Sequence, residues 1–98
     1  MLIDFTDDDF INKVKKEDKS IIQFSASWCA PCRTLKPIME KLSEEFKEKF
    51  IFYYADIDEG AMNTATSAAV RGVPTVVIYS QGNEVARNVG SASEQHMR

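Results

Sequence analysis

The residues best suited to chemistry are the chain's two cysteines, three positions apart in the run Trp28-Cys29-Ala30-Pro31-Cys32. An apolar stretch precedes them and a helical periodicity follows, so the pair falls at a strand-to-helix junction. There the free N–H groups of a first helical turn, and the helix dipole, favour a thiolate. A cysteine whose pKa drops from about 8.5 to about 7 goes from roughly 3% to roughly 50% thiolate at neutral pH. Falling nucleophilicity cancels most of that rise and leaves a factor of about 3. The larger gains are that Cys29 becomes a good leaving group and that Cys32 waits within intramolecular reach. The implied reaction is dithiol–disulfide exchange. Cys29 thiolate attacks a disulfide, a mixed disulfide forms, and Cys32 attacks Cys29, so the partner leaves reduced and the chain ends as a Cys29–Cys32 disulfide. Pro31 lies within the first turn, where a missing N–H costs little, and it restricts the small ring that the disulfide closes. Trp28 offers an apolar contact surface beside the nucleophile.

Other readings of the pair are weaker. A structural staple that closes about four residues yields only roughly 2 kcal/mol in the chain-entropy model. A zinc site needs about four ligands, and the single histidine, His96, stands near the far terminus. Two unrelated buried thiols are the other alternative. A C-x-x-C at a strand–helix junction, in a chain without an export signal, favours redox chemistry over these.

The elements that must position the pair can be read from periodicity. Thr6 before Asp7, Asp8 and Asp9 predicts a helix start with Thr6 as N-cap and Asp9 at the third helical position. Phe10, Ile11 and Val14 supply its apolar face, and Lys13 to Lys19 reads as a solvated helix end and turn. Ser20 to Ser25 is of strand length and strand composition. Leu35, Ile38, Met39, Leu42 and Phe46 then recur at helical spacing, with Pro37 inside, where a kink is expected. Phe50 to Ala55 predicts a second buried strand that ends in the acidic turn Asp56-Ile57-Asp58-Glu59-Gly60. An Ala-rich helix is expected from about Ala61 to Val70, closed by Gly72. Thr75 to Ser80, the turn Gln81-Gly82-Asn83, and Glu84 to Val89 predict a hairpin. The order is helix, strand, helix, strand, helix, strand, strand, which implies an α/β fold with parallel pairs and helices on both sheet faces. The acidic turn lacks the third acid and the distal glutamate of a calcium loop, since Ser67 occupies that place, so Asp58 is expected to cap the next helix.

Composition excludes several function classes. With 44% hydrophobic and 28% charged residues in 98, the chain predicts a single globular domain over residues 1–98. A net charge of -3 offers no basic surface for nucleic acid or anionic lipid. The first nine residues lack the basic and apolar regions of a secretion signal, and no stretch approaches the roughly 20 apolar residues of a membrane span. The expected location is cytoplasmic.

Phe24, Ala26, Trp28-Cys29-Ala30-Pro31-Cys32, Pro37 and Arg71-Gly72-Val73-Pro74-Thr75, in this order, resemble the thioredoxin family over nearly the whole chain. The resemblance implies a thioredoxin fold, with a central mixed β-sheet flanked by helices on both faces. It implies Cys29 as nucleophile and Cys32 as resolving thiol, supported by Gln23, Trp28, Ala30 and Pro31. It also implies a substrate groove of Trp28, Val73, Pro74 and Gly90, with Pro74 a cis proline facing the pair and Val73 a backbone clamp. No metal or cofactor is implied. The partners would be disulfide-containing proteins, and a thioredoxin reductase or equivalent dithiol donor for recharging. The rival functions are an oxidase or isomerase of the same fold and a redox-inactive binding module.

Three departures stand out. Ala30 replaces a usual glycine, and the chain closes with Ser93-Glu94-Gln95-His96-Met97-Arg98 in place of a full C-terminal helix. Fewer than about two helical turns are marginal alone, so a truncated last helix, thin cover over the sheet and some self-association of a monomer are expected. Gln23 stands where the family usually has a buried aspartate, and Tyr54 where a lysine commonly partners it. Glutamine cannot accept a proton from the resolving thiol, but it can hydrogen-bond a water or the thiol itself. Gln23→Asp should therefore add an ionisation to the pH–rate profile of disulfide reduction and speed resolution of the mixed disulfide. Stopped-flow rates that match the parent across pH would remove this explanation.

Overall fold

The structure, a computed structural model, describes residues 2–58, 60–70 and 73–89, excluding the side chains of Ile11 and Val89. In chain order the elements are β1 (Ile3–Phe5), α1 (Asp7–Asn12), a 3-10 turn (Val14–Lys16), β2 (Ser20–Ser25), α2 (Ala30–Glu45), β3 (Ile51–Asp56), α3 (Met62–Ser67), β4 (Thr75–Ser80) and β5 (Asn83–Val89). The strands form one mixed sheet in the order β1-β3-β2-β4-β5. β1, β3 and β2 run parallel, and β4 and β5 are antiparallel to their neighbours.

Alternation along the strands divides the core between the two faces. Ile22, Phe24, Tyr53 and Val77 pack with Phe5, Val14 and Ala65 on one side. Ile21, Phe52 and Val76 pack with Leu35, Met39 and Leu42 of α2 on the other. Burying a side chain such as Leu35 contributes roughly 1.5–3 kcal/mol. The helices thus flank both faces, as expected. α2 continues through Pro37, which is exposed on the outer side. The missing N–H leaves the Arg33 carbonyl at the surface, where water can serve it. An apolar cleft of about 100 Å³ opens between Met39, Leu42 and Phe46 of α2 and the sheet residues Ile21, Phe52 and Ile78. No helix among the described residues is long and apolar enough to cross a membrane.

Four expectations need correction. The edge strand β1 lies outside the predicted elements, because three residues are too few to show a period. It is held by pairing with β3, with Ile3 opposite Tyr53 and Phe5 opposite Ala55. The stretch Lys13 to Lys19 is not uniformly solvated. Val14 is fully buried, and Glu17 accepts hydrogen bonds from the Tyr53 hydroxyl at 2.7 and 2.9 Å and from Ser20 at 2.7 Å. Asp58 does not cap α3. That helix starts without a cap of its own, and Asp7 of α1 accepts from the backbone of Asn63 and Thr64 and from the Thr64 hydroxyl. Burial raises the Asp7 pKa, but those three bonds outweigh it and hold the carboxyl below its ordinary value.

The stop of α3 also differs from the expectation. It ends at Ser67, well before Gly72, which lies outside the described residues. Val70 N–H reaches back to the Ala65 carbonyl at 2.9 Å and Ala69 N–H to Thr66 at 3.1 Å. This is a Schellman closure with Ala69, at φ 57°, in the place that normally takes glycine. The β4–β5 turn does use glycine. Gln81 and Gly82 have φ of 51° and 83°, the signature of a tight hairpin, and a Cβ on Gly82 would lie 2.7 Å from Lys15 Cγ. The expected Gly90 and the segment from Ser91, including His96, lie outside the described residues.

Two tests follow from this packing. Relief of the left-handed strain at Ala69 is about 1–2 kcal/mol, offset by about 0.5–1 kcal/mol of glycine entropy. Ala69→Gly should therefore raise the melting temperature by about 2–4 °C, and a lower one would contradict the closure described. Burial first, and then the Glu17 hydrogen bond, hold the Tyr53 phenol well above its ordinary pKa. Burial together with Glu84 pushes Tyr79 up to about 12, against the opposing pull of Arg87. Unfolded tyrosines titrate near pH ~10, so this stability is intact below that pH and is lost as pH rises toward the folded values. Urea unfolding should show a decline above about pH 10, and Tyr53→Phe should remove about 1–2 kcal/mol at neutral pH while making the alkaline decline shallower. An equally steep decline in the variant would contradict the assignment.

Candidate active site

β2 is buried along all six residues, so it runs through the centre of the sheet and emerges at Ala26. The chain turns there, with Cys29 N–H donating to the Ala26 carbonyl at 3.1 Å, and α2 begins at Ala30. Cys29 is the N-cap of α2, in the extended conformation typical of that position. Its Sγ accepts the Cys32 backbone N–H at 3.1 Å, as a serine or aspartate oxygen would at other helix starts. Proline at the start of the helix forfeits a donor that has no helical partner anyway. Cys29 and Cys32 are joined as a disulfide with their Cα atoms 5.3 Å apart. Cys29 is 4% exposed and Cys32 0%, so only Cys29 reaches the surface.

The pair packs with Ala26, and Ile57 and Val73 close the cluster from neighbouring loops. The Val73-Pro74 peptide is cis, as expected; Val73 is half-buried and Pro74 buried. Trp28 is 66% exposed, and its indole N–H donates to Asp58 Oδ2 at 2.8 Å. Ala30 and Pro31 are exposed on the first turn of α2. The structure therefore brings Trp28, Cys29, Ala30, Pro31, Cys32, Val73 and Pro74 to one end of the sheet, whereas Gly90 lies outside the described residues.

Beneath the pair, Gln23 is fully buried on the α2 side of the sheet, in register with Tyr54 on β3 and Val76 on β4. Its Nε2 donates to Ser25 Oγ at 2.9 Å and to the Cys32 carbonyl at 3.3 Å, while its Oε1 has no partner. Tyr54 is half-buried, and the Lys36 ammonium lies 4.3 Å from its ring centroid.

Sequence reasoning missed three residues of this surround, Ser25, Ile57 and Asp58. Ser25 could have been found, because it is two positions from Gln23 on a strand and so shares its face. Asp58 could not, because its bond to Trp28 spans 30 residues and leaves no local pattern.

The thioredoxin family profile matches residues 1–98. The chain is 33% identical over 93 residues to a thioredoxin of Acidithiobacillus ferridurans, covering 94% of this chain and 85% of that one. It is 32% identical over 98 residues to a thioredoxin of Buchnera aphidicola, covering 99% and 90%. Against the chloroplastic thioredoxin M4 of Arabidopsis thaliana identity is 35% over 91 residues, 92% of this chain, which spans about half (47%) of that relative's length. Among solved structures, a mutant thioredoxin from Halobacterium salinarum superposes with a TM-score of 0.86 at 30% identity, covering 97% of this chain and 82% of that one. With the cysteines at disulfide distance, these matches support thiol–disulfide oxidoreductase chemistry, and the chain belongs to the thioredoxin family.

Proposed function

We propose that the chain reduces disulfides of protein substrates, with Cys29 as nucleophile and Cys32 as resolving thiol. One observation carries the assignment of roles. The Cys29 sulfur accepts the Cys32 N–H at the start of α2, and of the two cysteines Cys29 is the one with any exposed surface. A backbone donor and the positive end of a helix dipole stabilise negative charge on that sulfur, both as the attacking thiolate and as the leaving group in the second step.

In the reduced chain, Cys29 thiolate attacks one sulfur of the substrate disulfide, and the other substrate sulfur departs as a thiolate. Cys32 then gives up its proton, which the departed substrate thiolate takes up through solvent, and attacks Cys29 Sγ. The remaining substrate sulfur leaves, and the two electrons that the substrate gained are balanced by the Cys29–Cys32 bond. Trp28, Val73 and Pro74 would hold the substrate chain across this opening, with the Asp58 bond limiting the swing of the indole. A dithiol donor, such as a thioredoxin reductase, must reopen the disulfide, which suits a reducing compartment such as the cytoplasm.

The test is insulin reduction in dithiothreitol, followed by turbidity. The parent chain should accelerate precipitation, Cys29→Ser should fall to the rate of dithiothreitol alone, and reduced Cys32→Ser mixed with insulin after the dithiothreitol is removed should accumulate a mixed disulfide. Parent activity no greater than that of Cys29→Ser would defeat the proposal.

A further inference from the structure

We infer that the Gln23 side-chain carbonyl accepts a hydrogen bond from the Cys32 thiol, and that this bond, made only in the reduced protein, draws the redox equilibrium toward the dithiol. The inference rests on the oxidoreductase reading above. Gln23 is 0% exposed, and both N–H groups of its amide are committed, to Ser25 Oγ and to the Cys32 carbonyl. Its Oε1 is the one buried side-chain polar atom among the described residues without a hydrogen-bond partner. Turning the amide over would set Oε1 against the Cys32 carbonyl, two acceptors facing each other, and would forfeit that bond. An acceptor buried without a donor is destabilising, and here it belongs to the residue in direct contact with Cys32.

The redox state explains the vacancy. In the disulfide, Cys32 Sγ carries no proton and has nothing to donate. On reduction by a dithiol such as dithiothreitol, two electrons and two protons pass to the Cys29–Cys32 bond while the dithiol closes to its own disulfide. One of those protons resides on Cys32 Sγ, which becomes a buried S–H donor on the residue whose backbone carbonyl the Gln23 amide already binds. Tyr54 and Val76, the cross-strand neighbours of Gln23, do not fill that acceptor in the oxidised chain. Gln23 is thus a positioning residue whose contribution differs between the two redox states.

Gln23→Met keeps the length of the side chain and removes the acceptor. Its equilibrium constant with dithiothreitol should move about 5- to 10-fold toward the protein disulfide, or about 20–30 mV more negative, tenfold being 29.6 mV for this two-electron couple. Gln23→Glu is a second arm. Burial raises a carboxyl pKa, so near about pH 5 the protonated side chain is isosteric with glutamine and should restore the parent constant, with departure as it ionises. In a Cys29→Ser background the lone thiol is Cys32, and its Raman S–H stretch should lie at higher wavenumber in Gln23→Met than with Gln23 present. If the methionine variant fails to fold, the glutamate variant and its pH dependence decide the matter. Constants within twofold of the parent in every folded variant, or an S–H band that does not move, would overturn the inference. A parent chain that never exchanges with dithiothreitol would instead defeat the oxidoreductase reading, and the Raman band would still decide the acceptor.

Discussion

A sulfur atom occupies the N-cap of α2, and the rest of the site depends on that substitution. In an ordinary helix start, a hydroxyl or carboxylate oxygen satisfies the third N–H of the helix. Here Cys29 Sγ does so, and the N–H it satisfies belongs to Cys32. Folding α2 and orienting the two sulfurs are therefore the same event. The helix dipole then acts on the sulfur of Cys29, the partly exposed cysteine, and burial on that of Cys32.

The sheet determines what surrounds this point. β2 and β3 run parallel, with Phe24 opposite Ala55 and Ser25 opposite Asp56, so the loop that follows β3 emerges beside the cysteine turn and delivers Ile57 and Asp58. β4 runs the other way, with Thr75 opposite Phe24, so it begins where β2 ends. Residues just before β4 must then lie at the same edge, which is why Val73 and Pro74, some forty positions along the chain, meet the cysteines. Arg87 of β5 donates to the Ala68 and Ala69 carbonyls, tying the hairpin to the end of α3. Three chain segments converge at the pair, yet none is long enough to need a separate element to hold it.

How much of this could be read beforehand depended on how far each signal travels along the chain. The long amphipathic helix carries a period over many residues, the two buried central strands and the hairpin are marked by apolar runs between turn residues, and the C-x-x-C at a strand–helix junction located the chemistry directly. The capping box of Thr6 and Asp9 was likewise legible because both partners are local. What escaped was set by distant partners. β1 exists through pairing with β3, the start of α3 is satisfied by an aspartate on another helix, and Trp28 is tied to Asp58 across the surface. Ala69 escaped for a different reason. A non-glycine residue took the left-handed position, so the visible glycine further on pointed to the wrong stop.

Gln23 shows the balance between the core and the site. A fully buried amide with one free acceptor weakens the interior, and its other contacts reach the backbone of Cys32 and the hydroxyl of Ser25. Gln23 and Ser25 form a buried polar pair on this face of β2, and the pair touches Cys32, where bonds are made and broken. The proposed chemistry requires the Cys29–Cys32 bond to open and close while the fold persists. The most direct measurement is a titration through dithiothreitol redox buffers, with alkylated thiols counted by mass spectrometry and helical content followed by circular dichroism. The account predicts a single two-electron transition from two alkylated cysteines to none, with the dichroism unchanged. Thiols that never pair, that resist alkylation under every buffer, or that become reactive only as the helices melt would contradict it.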